Sequence, residues 1–126
     1  EAGDVLVEAL AHDRSNLTRR SAAISLGRLG DKARAPALLD ALQDADPGVR
    51  VLAARALVLM DYKPAIPWFL RSLESGIAMP QIDRALEKLS GQDFGFDPYA
   101  DLPTRNAAIA RGDVWWGEQA ATLGKP

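Results

Sequence analysis

Two arginines with carboxylates close by are the first groups in this chain whose types and spacing point to chemistry. Arg19 and Arg50 stand 31 residues apart, with Asp13, Asp44 and Asp46 in the stretches before them. A guanidinium is a planar fork of N–H donors that fits a carboxylate in a bidentate manner. The same pairing serves equally well to bind an acidic ligand or to tie one piece of backbone to the next.

Other constellations are poorer in chemistry. His12 is the single histidine of the chain, and acid–base work or metal binding needs converging partners that the neighbouring sequence does not offer. Asp93, Asp97 and Asp101 are spaced by four, without the alternate oxygen ligands and closing glutamate of a calcium loop. Asp101 stands ahead of Pro103, where a helix cap is expected. With no cysteine, thiolate metal sites, disulfides and cysteine nucleophiles are excluded. No catalytic residue, metal site or cofactor is expected.

What remains is binding chemistry. From Pro47 to Met60 one helical stripe is Val49, Ala53, Leu57 and Met60, and the opposite side carries Val51, Leu52, Val58 and Leu59. A helix that is apolar all round should be covered all round. The positions equivalent to the second stripe are Arg20, Ser21, Gly27 and Arg28 one repeat earlier, and roughly Pro80, Gln81, Glu87 and Lys88 one later. The expected surface is an apolar floor of Val51, Leu52, Val58 and Leu59 flanked by Arg20, Arg28, Arg55, Arg84 and Lys88. That combination suits a mildly acidic, amphipathic peptide or helix. The competing occupant is the chain's own tail. Phe94, Phe96, Tyr99, Trp115 and Trp116 concentrate the aromatics near the C-terminus, either as a hydrophobic lid or, at Trp115 and Trp116, as an exposed patch for a partner.

The elements that position these residues follow from a period. Lys32, Pro36, Leu38, Leu39 and Leu42 recur 31 positions on as Lys63, Pro67, Phe69, Leu70 and Leu73. Arg19, Ala22, Ala23, Leu26 and Leu29 recur as Arg50, Ala53, Ala54, Leu57 and Met60. A fixed period of this size means stacked supersecondary units, each too small to bury its apolar face alone. Each unit reads as two helices. In the middle unit these are about 35–43 and 47–60, with Asp46 as N-cap and Pro47 at the first helical position. The third unit gives helices at about 63–75 and 79–90 and lacks the Asp-x-x-Val-Arg entry. After Gly91 the periodicity stops. A loop over 92–101 precedes a helix from Pro103 to about Ala121, expected to break at Gly112-Asp113.

The bulk numbers agree. At 126 residues and net charge −2, the chain is one domain without the basic excess of a general nucleic-acid or anionic-membrane binder. No run approaches the ~20 apolar residues of a membrane span. It starts at Glu1 rather than Met, which is expected of a processed protein or an expressed fragment, and the sequence assigns no compartment.

The stretch Asp46-Pro-Gly-Val-Arg50-Val-Leu-Ala-Ala-Arg-Ala-Leu57 resembles the HEAT-like repeat of the short bacterial type, the PBS-lyase HEAT-like repeat. Arg19 to Gly30 is similar, with Leu17-Thr18 where the family has valine. The resemblance covers about residues 4–90. It implies an all-α, right-handed α-solenoid of about three helix pairs (3–30, 31–61 and 62–91), closed by an aromatic segment over 92–126, with Arg19, Asp46 and Arg50 in a structural ladder of Asp–Arg pairs that stitches neighbouring repeats. The second helices of such arrays line the concave surface, which would place the Val51–Leu59 stripe in the groove. Leu89 to Asp97, followed by Trp115-Trp116, is similar to a tail that follows such repeats in some bacterial proteins of unassigned function. The family includes phycobilin lyases and pure scaffolds, and no bilin-attachment residue maps here. The expectation is a non-catalytic, monomeric protein-interaction module. A bilin-lyase-like accessory protein, an enzyme like the HEAT-like alkyl-DNA glycosylases, and the terminal cap of a longer solenoid remain as alternatives.

Overall fold

The computed structural model describes residues 2–76 and 79–123. The described regular structure is helical, in two compact units, residues 1–65 and 66–126.

The first unit holds α1 (Ala2–His12), α2 (Asn16–Leu29), α3 (Ala35–Ala41) and α4 (Pro47–Leu59), with 3-10 turns at Lys32–Arg34, leading into α3, and at Lys63–Ala65. The starts of α2 and α4 have a local cause. Ser15 accepts a hydrogen bond from the Thr18 N–H at 3.3 Å and caps α2, while Asp46 accepts from the Val49 N–H at 3.1 Å and caps α4 ahead of Pro47. The ends repeat as well. Gly30 and Asp61, 31 residues apart, both adopt the left-handed region, at φ of 68° and 53°. Each turns the chain at a helix end, and Asp61 is the non-glycine residue with positive φ among those described.

Helices α1 and α3 pack together, as do α1 with α2, α3 with α4, and α2 with α4. The core stripe expected in α4 is buried throughout at Val49, Ala53, Leu57 and Met60, joined by Leu26 of α2, Leu38 of α3 and Leu10 of α1. Burying one such leucine or valine contributes about 1.5–3 kcal/mol relative to leaving it in water. Small residues let α2 and α4 approach closely: Gly27 stands against Ala56, and Gly48 against the Arg20 side chain. Since the N-terminal part of α2 meets that of α4, and likewise further along, the two helices run parallel.

The second unit holds α5 (Ile66–Ser75), α6 (Met79–Ser90) and α7 (Leu102–Leu123). Phe69, Leu70, Ile82, Leu86, Leu89, Ala108 and Ile109 are its buried core. Asp101 caps α7 by accepting from the Thr104 N–H at 2.9 Å. The expected break at Gly112-Asp113 does not occur: α7 runs unbroken from Leu102 to Leu123. Gly112 is buried against α5, and a Cβ there would come within 2.5 Å of Leu70 Cδ2. The glycine marks a close helix approach, not a helix end. Likewise 63–65 is a single 3-10 turn, so α5 begins at Ile66 rather than Lys63. No described helix is long and apolar enough to cross a membrane.

Candidate functional site

The ion pairs of the first unit come from its repeat register. Arg19 donates from Nε and Nη2 to both oxygens of Asp44, at 3.0 and 3.1 Å. Arg20 does the same to Asp46, at 2.7 and 2.9 Å. Two adjacent residues of α2 are thus tied bidentately to the turn that opens α4. Arg19 also closes its own turn through Nη1, which donates to the Asp13 carbonyl at 2.9 Å and the Arg14 carbonyl at 3.3 Å. Arg50 copies that contact, donating to the carbonyls of Asp44 at 2.7 Å and Ala45 at 3.4 Å. It does not pair with Asp46, and its buried Nε has no hydrogen-bond partner among the described residues. The residue 31 positions after Asp44 is Ser75, which has no carboxylate.

These contacts set the electrostatics. The hydrogen bond from Arg20 holds the Asp46 carboxyl down at about 2, against the opposing effect of desolvation, with further help from the Val49 N–H. The hydrogen bonds to Asp44 and Asp46 raise the Arg19 and Arg20 guanidiniums above their usual range. Arg20 therefore sits in the tie between helices. It does not line the hollow described next.

Between α2 and α4 lies an apolar hollow of about 200 Å³, lined by Ile24, Gly27, Arg28, Leu52, Arg55, Ala56 and Leu59. Arg28, Leu52, Arg55 and Leu59, expected in one groove, come together here. Val51 and Val58 are half-buried on α4 but do not line it. Leu59 is 67% exposed and Ile24 37% exposed. Arg28 and Arg55 are exposed, and neither has an ion pair among the described residues. Ile24 was not among the expected groove residues, because its equivalent at the repeat spacing is Arg55 and the mapping started from apolar positions of α4.

In the second unit, Arg84 and Lys88 are exposed on α6, one turn apart. Trp115 and Trp116 are both half-buried on α7. Trp115 meets Phe94 in a tilted ring contact, with centroids 5.7 Å apart and planes at 58°. Asp93, Asp97 and Asp101 each accept from a backbone N–H two or three residues on: Gly95 at 2.8 Å, Tyr99 at 2.9 Å and Thr104 at 2.9 Å. Their spacing is that of successive turn-closing carboxylates. Asp83 on α6 is different. Burial pushes its carboxyl up to about 6, with Glu87 and Asp93 adding repulsion. His12 ends α1 in the open, 4.0 Å from Glu8.

Comparison with known proteins gives two findings. The family model for HEAT repeats matches residues 3–79. The chain is 37% identical, over 119 residues and 90% of its length, to the phycocyanobilin lyase subunit alpha of Nostoc sp.. It spans 41% of the length of that relative.

Proposed function

Since the chain belongs to the HEAT-repeat family, we propose that it works as a non-catalytic protein-interaction module that holds a peptide or helix of a partner against the face shared by α2 and α4. One observation carries this reading: the hollow lined by Ile24, Leu52 and Leu59, with Arg28 and Arg55 at its edge. A small apolar cavity is the kind of pocket that receives a partner's anchoring side chain. Arg19, Arg20, Asp44, Asp46 and Arg50 are proposed as the framework that keeps α2 and α4 in register. Within the second unit, Arg84 and Lys88 are proposed as partner contacts on α6, and the Phe94–Trp115 contact as part of an aromatic cover over that unit's own core. The module is proposed to act as a monomer, without a cofactor.

The test is alanine substitution at Leu52 and Leu59. Both variants are expected to keep the circular-dichroism spectrum of the parent and to lose retention of the partner. Retention unchanged in both would defeat the groove reading.

A second reading is favoured by the relative from Nostoc, whose name describes a lyase subunit acting with phycocyanobilin. On this reading the chain is an accessory to bilin handling. Mixing the protein with free phycocyanobilin should then shift the pigment's visible absorbance. An unchanged spectrum at protein excess counts against it.

A further inference from the structure

We infer that the partner presents an amphipathic helix whose apolar stripe is bordered on both sides by carboxylates, the stripe lying in the hollow and the acids meeting Arg28 and Arg55. This inference rests on the groove reading above and specifies its ligand.

The walls of the hollow are two parallel helices, so it has a direction and two sides. Ile24 and Arg28 stand one turn apart on the α2 wall, and Leu52, Arg55 and Leu59 lie along the α4 wall. One arginine therefore lies on each wall, Arg28 a turn after Ile24 on α2 and Arg55 between Leu52 and Leu59 on α4. A ligand whose acids all lay on one side would leave one guanidinium without a partner. A helix with a leucine stripe and acids on both borders uses both.

Size supports a side-chain receptor. A volume of about 200 Å³ falls below the ~300–1,000 Å³ of typical small-molecule pockets, and suits one or two aliphatic side chains. Charge supports the acids. In this unit Arg19, Arg20 and Arg34 are each engaged by aspartates, whereas Arg28 and Arg55 are exposed without an ion pair among the described residues. The protein as a whole carries net charge −2, so the positive charge of the hollow is a local feature and not a property of the whole chain. A guanidinium fork donates to a carboxylate in a bidentate manner and adds both orientation and rate to docking.

The experiment uses the full chain and three synthetic peptides of about 18 residues, long enough to be helical in isolation. The first carries two leucines four residues apart on an alanine background, with glutamates on both borders of the stripe. The second replaces the glutamates by lysine, and the third replaces the leucines by alanine. Titrations are followed through backbone amide chemical shifts. The acidic leucine peptide is expected to move the amides around Ile24, Gly27, Ala56 and Leu59, and the other two to bind at least about tenfold more weakly. In the Arg28→Glu/Arg55→Glu chain the preference should reverse towards the lysine peptide.

Equal binding of the acidic and basic peptides overturns the acidic assignment, as does an absence of binding by any peptide. The groove reading is then still judged separately by the Leu52 and Leu59 variants. If the same amides move on raising the protein concentration alone, the occupant is a second copy and the inference fails.

Discussion

A Cβ added to Gly27 of α2 would come within 2.8 Å of the Ala56 Cβ and 3.0 Å of the Ala56 Cα on α4. The two helices approach so closely here because neither position carries more than a methyl group. Both residues also form the floor of the hollow, so the packing that fixes α2 on α4 also shapes the candidate site.

Gly27→Ala tests that relationship. Alanine in a helix interior gains about 1 kcal/mol over glycine. Overpacking against a neighbouring backbone typically costs about 1–3 kcal/mol. Because the contact includes the Ala56 Cα, which moves only with its helix, overlap should win, giving a net loss of roughly 1–2 kcal/mol. Chemical denaturation measures it, and a more stable variant would show that the helices separate easily.

The two repeat arginines should differ in weight. Arg19→Ala removes a bidentate pair to Asp44 as well as the turn contacts, whereas Arg50→Ala removes turn contacts alone. The first variant is therefore expected to melt at the lower temperature. Equal melting temperatures would mean that the Asp44 pair contributes nothing.

Opposite pH signatures are expected at Asp46 and Asp83. Asp46 is held at about 2 in the folded protein, below its ordinary value near 4. Its contribution is present above that ordinary value and lost as the pH falls through about 2. Asp46→Asn should thus destabilise at neutral pH, and the gap from the parent should close in strong acid. Asp83 is raised to about 6, so the folded state is favoured while the group stays protonated and loses that advantage as the pH rises through about 6. Asp83→Asn should therefore raise the melting temperature at pH 7.5 but leave it nearly unchanged at pH 4. A lower melting temperature at pH 7.5 would contradict the assignment.

The tilted contact of Phe94 with Trp115 should appear as a coupling energy. Rings in this arrangement are worth about 0.5–1.5 kcal/mol beyond area burial. A double-mutant cycle with alanine at both positions is expected to return a value in that range. Zero coupling would mean that the rings touch without stabilising the loop over 92–101.

The sequence conveyed the helix pairs well where a start has a local chemical cause, as with Asp46 before Pro47 and Asp101 before Pro103. The misreadings have causes as well. Gly112 breaks no helix because its missing side chain is used against Leu70, a tertiary fact invisible in a local pattern. Ile24 escaped because the groove was mapped by repeat equivalence, and there the apolar residue of one helix corresponds to Arg55 of the next. Arg20 looked like a groove cation because nothing in its spacing says that Asp46, 26 residues on, lies within reach.

The central claim, that the face between α2 and α4 holds a partner, is tested most directly by a photo-reactive phenylalanine analogue placed at position 59. The same residue at position 5, where Val5 is equally exposed on α1 at 66%, is the control. The account predicts a discrete cross-linked species from position 59 after illumination in the native host, and none from position 5. Equal cross-linking from both positions, or none from position 59, would contradict it.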